Sequence, residues 1–111
     1  MTKRELTAFD SRGADLRKET PELVAKLRLY PTAEGGRVQP AYPGWGCPCK
    51  IEGESSLWDA WPLLGDEPLL PGEERVVGFV FMRSEGAEAA RKAGHFYLWE
   101  GRLIGDAWLV K

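Results

Sequence analysis

From Leu23 the chain alternates. Leu23, Ala25, Leu27 and Leu29 fall on one side, and Val24, Lys26, Arg28 and Tyr30 on the other. A period of two marks a strand with one buried face. Pro31 ends the run, and Glu34-Gly35-Gly36-Arg37 reads as a turn whose glycines can take positive φ. Residues 75–82 form the strongest strand signal. Val77, Phe79 and Phe81 point one way; Val76, Val80 and Met82 point the other, with Gly78 between them. Residues 95–99 and 103–110 read as a hairpin around Glu100-Gly101-Arg102, and residues 56–61 as a short strand. In residues 84–92, Ala87, Ala89 and Ala90 sit among Glu and Arg, which predicts one or two helical turns with Gly94 as the stop.

The remaining segments are punctuated. Pro40, Pro43, Gly44, Gly46 and Pro48 make residues 40–49 an irregular or edge segment, because proline cannot donate to a central ladder. Residues 63–72 read as a loop closing on Pro71-Gly72, a pair suited to a type II turn. Residues 1–20 are polar and charge-balanced, with Leu6, Phe9 and Leu16 as their large apolar side chains besides Met1; Thr20-Pro21 closes them off. The expectation is an N-terminal arm over residues 1–20 and one domain over 21–111. Short strands, Gly/Pro turns and one minor helix indicate an all-β barrel or sandwich.

Four landmarks then resemble one family. The alternating strand with Glu34-Gly35-Gly36-Arg37, the Pro71-Gly72 turn into an apolar strand, Gly94-His95-Phe96 after a short crossover, and the hairpin from Phe96 to Gly105 occur in one order over 23–110. In this the chain is similar to the C-terminal barrel domain of elongation factor Tu and related translation GTPases. The resemblance implies a closed six-stranded antiparallel barrel. Leu27, Leu29, Val77, Phe79, Phe81, Phe96, Leu98 and Leu109 are then expected in its interior. It also implies RNA-contact positions at the two glycine turns, here Arg37 and Glu100, Gly101 and Arg102. The chain departs from the family at Val38, where a polar or basic residue is expected. Ala41-Tyr42-Pro43-Gly44-Trp45 likewise lacks the family's arginine.

Composition narrows the function. The net charge of −2 opposes a phosphate backbone. No phosphate-cradling Gly-x-x-x-x-Gly-Lys-Ser/Thr loop occurs in the sequence, so GTP binding is not expected. No apolar run reaches the roughly 18–20 residues of a membrane span, and the first residues lack a signal-peptide pattern; a cytoplasmic location is expected. Cys47-Pro48-Cys49 and the lone His95 fall short of a zinc site's four ligands, and the thiols read as reduced, metal-free and inert. His95 reads as a turn or surface residue, and no serine sits in a nucleophile elbow. No catalytic residue, metal or cofactor is expected.

The five tryptophans shift attention to surfaces. If Phe96 and Leu98 face inward, Tyr97 and Trp99 face outward. On the last strand Ile104, Asp106 and Trp108 alternate against Gly105, Ala107 and Leu109. An outer group of Tyr97, Trp99 and Trp108 is therefore either a candidate partner-binding patch, since interface centres favour Trp and Tyr, or a face covered by the N-terminal arm around Leu6 and Phe9 or by a symmetry mate. The sequence favours a protein-binding module, its partner another protein or a second copy, over an RNA-binding accessory domain linked to translation.

Overall fold

Alternation in the first strand translates directly into burial. β1 (Leu23–Leu29) is buried at each odd position and exposed at each even one. The structure, a computed structural model, describes residues 19–110; the expected arm lies outside them except for its last two residues. The other elements among the described residues are β2 (Cys47–Lys50), β3 (Leu57–Leu63), β4 (Glu74–Phe81), helix α1 (Ser84–Ala93), β5 (His95–Trp99) and β6 (Leu103–Leu109), with a 3-10 turn at Thr32–Glu34. The strands close in the order β1-β4-β3-β2-β5-β6, each pair antiparallel. The described residues thus form a closed six-stranded antiparallel barrel with one helix. Closure leaves no strand edge open to a neighbouring chain. Among the described residues no helix is long and apolar enough to cross a membrane.

Inward positions of all six strands form one core. Leu27, Leu29, Phe79, Phe96 and Leu98 are fully shielded, and Val77 and Phe81 nearly so. Phe96 is the hub, meeting the Phe79 ring edge-on at 5.1 Å and the Phe81 ring at 5.7 Å. Leu109, expected in the interior, packs on this core only partly buried, because it lies at the last position of the last strand. α1 lies close to the barrel. A Cβ on Gly86 would stand 2.9 Å from Phe81 and 3.0 Å from Trp58. Gly94 ends the helix in the left-handed region at φ 84°, its N–H donating to the Ala90 carbonyl.

Two expectations need correction. Residues 47–50 are a ladder strand despite Pro48, not an irregular segment. Pro48 is tolerated because β2 pairs β3 along its whole length, while its ladder to β5 begins only at Cys49; on the β5 side Pro48 has no ladder bond to lose. The strand turns both thiols inward, and Cys47 and Cys49 are buried in the core. The second correction is on β6. Leu98 pairs Gly105 and Trp99 pairs Leu103, so Ile104 is the extra residue of a bulge. Strict alternation puts Ile104 outside with Trp108; the bulge instead leaves it buried in the core cluster.

Candidate interaction surface

The outer surface is built by the same register that fills the interior. Lys26 lies opposite Val76 of β4 on one side and Trp108 of β6 on the other, and Trp108 lies opposite His95. One step along, Arg28 pairs Asp106, which pairs Tyr97. Side chains from four strands therefore share one face. The sequence-derived candidates Tyr97, Trp99 and Trp108 all point outward, as alternation required. They are not equally available: Tyr97 and Trp99 are half-buried, whereas Trp108 is 51% exposed.

Trp108 is held in place by its neighbour. The His95 ring stacks on it at 4.5 Å and 13°, and Tyr97 meets His95 edge-on at 5.7 Å. His95 is thus more than a turn residue: it props the exposed indole, with Glu52 Oε1 3.8 Å from its Nε2. Val24 and Val110 are exposed on the Trp108 side of Lys26 and Val76 on its other side, giving an apolar patch across β4, β1 and β6. Charges on this face come largely in pairs. Arg28 Nη2 is 3.3 Å from Asp106 Oδ2, and Lys26 Nζ is 3.7 Å from Glu74 Oε2.

Asp106 is the buried carboxylate of this face, and its surroundings act on Tyr30. The Tyr30 hydroxyl donates to Asp106 Oδ2 at 3.1 Å, and the Arg28 guanidinium lies 4.9 Å from the Tyr30 ring. Burial first, then the Asp106 charge and hydrogen bond, push the Tyr30 phenol above its ordinary value. An acid that ionises less readily in the folded state than in the unfolded chain adds stability below about pH 10, and this is lost as pH rises through its folded value. Folding stability should therefore fall in alkali above about pH 10. Tyr30→Phe should flatten that fall. Urea titrations between pH 9 and 12 check it; an equal slope in both proteins contradicts it.

The RNA candidates are brought together, but as a clasp between two turns. Arg37 Nη1 is 2.6 Å from Glu100 Oε2, while its Nε and Nη2 donate to the Gln39 and Pro40 carbonyls at 2.9 and 3.1 Å. Its guanidinium lies 4.9 Å from the Trp45 ring, and Trp45 Nε1 also donates to Glu100 Oε2 at 3.0 Å. Arg102 reaches the other way, donating from Nε and Nη2 to the Gly35 and Gly36 carbonyls at 2.6 and 3.1 Å. Gly101 turns the second hairpin at φ 78°. Gly36 lets the first turn close on Tyr30, whose carbonyl oxygen would stand 1.9 Å from an added Cβ.

Sequence reasoning missed one concavity. A groove of about 530 Å³ lies between α1 and the β2–β3 hairpin, lined by Glu54, Trp58, Glu85, Glu88, Ala89 and Lys92. Trp58 Nε1 donates to Glu54 Oε1 there at 3.2 Å. Its signal was spread over two distant segments, and no single motif marks it. Among the described residues no cluster of three or more His, Cys, Asp or Glu is arranged to hold a metal ion. No family model matches this chain, and no curated protein is similar to it in sequence.

Proposed function

We propose that this chain is a non-catalytic, cytoplasmic protein-binding barrel whose contact surface is the outside of β4, β1, β6 and β5, centred on Trp108. One observation carries the reading. A tryptophan stands half exposed on a sheet face, propped by a stacked ring and bordered by exposed valines. Exposed apolar side chains grouped in this way mark interaction sites, and tryptophan dominates the energetics of interface centres. Tyr97 supports the patch through His95, whereas Trp99 lies at the far end of β5, opposite Leu103.

The RNA alternative has less to draw on. A phosphate binder presents free guanidinium donors, and the donors of Arg37 and Arg102 are directed to acceptors within the chain. On this reading the resemblance to the elongation factor Tu barrel is one of scaffold. The two glycine turns then lock the barrel.

Photo-crosslinking in the source cell tests the proposal. Benzoylphenylalanine placed at position 76, on the patch border, should give protein adducts that survive ribonuclease. Trp108→Ala should sharply reduce them, weakening capture by about 30-fold for a hot spot of roughly 2 kcal/mol. Its circular dichroism should be unchanged, since the side chain is half in water. Nucleic-acid adducts, or protein adducts indifferent to Trp108→Ala, would overturn the reading.

A further inference from the structure

We infer that the Trp108 patch recognises a protein segment carrying a carboxylate flanked by apolar side chains, with Lys26 as the group that reads the carboxylate. The inference rests on the protein-binding reading above and adds the chemistry of the partner.

Its basis is where Lys26 stands. Val76 and Trp108 lie directly opposite it on the two neighbouring strands. Val24 precedes it by two residues on the same face, and Val110 lies beside Val24, its N–H donating to the Val24 carbonyl at 3.1 Å. These four apolar neighbours are 54%, 51%, 38% and 42% exposed in the order named. A single ammonium therefore stands at the edge of an apolar arc, with Arg28, Glu74 and Asp106 on its other side. Its ion pair with Glu74 is long, at 3.7 Å, and both side chains are more than half exposed. Such a pair contributes little and yields readily to a better acceptor. The other cation nearby, Arg28, is already committed to Asp106 and to the Tyr30 ring.

Charge complementarity then sets the partner. Burying the valines and Trp108 under another surface strips water from Lys26, which is costly unless that surface brings a carboxylate to the same spot. A wholly apolar segment would strand the ammonium, and a basic one would repel it. The fitting segment has Asp or Glu at its centre and aliphatic or aromatic side chains on either side. The lysine's methylene stem lies along the apolar floor while its head meets the acid.

A displayed library of random peptides, selected on the immobilised full-length protein, provides the probe. Enriched peptides should share an acidic residue bordered by apolar ones. Affinity for them should drop about tenfold or more in Lys26→Glu, and that variant should itself select peptides with a basic centre. Lys26→Met should keep the apolar preference and lose the acidic one. Trp108→Ala should lose enrichment altogether. A consensus without an acidic residue, or enrichment unchanged in Lys26→Glu, overturns the inference. If position 76 still crosslinks to protein in a Trp108-dependent way, the protein-binding reading stands and only the carboxylate is wrong. Ribonucleic acid adducts at that position remove both.

Discussion

Phe79→Ala should destabilise the barrel by about 3–5 kcal/mol. The side chain is fully shielded and meets Phe96 edge-on at 5.1 Å, and Phe96 in turn meets Phe81. Removing one ring leaves a cavity that the closed sheet cannot collapse around, since each strand is pinned by two neighbours. The aromatic contact is lost as well. A fall in melting temperature of more than about 10 °C follows for a domain of this size. Phe79→Leu, which refills most of the space, should recover much of it. A loss below about 1 kcal/mol for the alanine variant would contradict the packing described for this core.

The second large effect is expected at Arg37, and it separates two roles. As a phosphate contact, Arg37 would be dispensable for folding. As the clasp between the first turn and the last hairpin, it is not. Its side chain is 14% exposed and holds Glu100 at 2.6 Å together with two backbone carbonyls. Arg37→Ala should cost roughly 1–3 kcal/mol, because two carbonyls lose their donor and the one-third-exposed Glu100 carboxylate keeps only its Trp45 bond. Arg37→Lys should recover only part, since an ammonium cannot reproduce a planar fork with three separate acceptors. A double-mutant cycle with Glu100→Gln should show coupling between the two positions. An unchanged melting temperature in Arg37→Ala would return the guanidinium to the list of groups available to a ligand.

Much of this fold was legible because its strands obey period two. β1 and β5 show a clean split between shielded and outward residues, β4 shows it only up to Phe79 because Val80 is buried against Trp61, and Gly94 stops the helix where the sequence placed its end. β2 was not legible, because Pro48 argues against a strand and only the pairing partner decides whether its missing N–H matters. Ile104 was placed on the wrong face for a related reason. A bulge is a mismatch between two strands, and neither strand's own pattern records it. The surface was partly legible. Alternation directs Tyr97, Trp99 and Trp108 outward, but their exposure depends on neighbours from other strands. The apolar arc beside Lys26 likewise exists only through the β1–β4 and β1–β6 registers. The roles of Arg37 and Arg102 lay beyond reach for the same reason. Residues 63 to 67 positions apart become partners only once the barrel closes.

That closure has a consequence for how the protein is made. The first strand takes the last as its neighbour, with Ala25 opposite Leu109 and Leu29 opposite Gly105. A nascent chain thus carries β1 with one side bare until β6 has been synthesised. At about 5–20 residues per second, the roughly 80 residues between them take on the order of 4–16 s. During that interval the Leu27 and Leu29 face and an unsatisfied row of backbone groups are open to any extended chain nearby. Completion therefore comes as a late, long-range event rather than a progressive one. A ribosome stalled before Leu103 should release a product that aggregates or is degraded, while one stalled well beyond Leu109 should release a protease-resistant barrel.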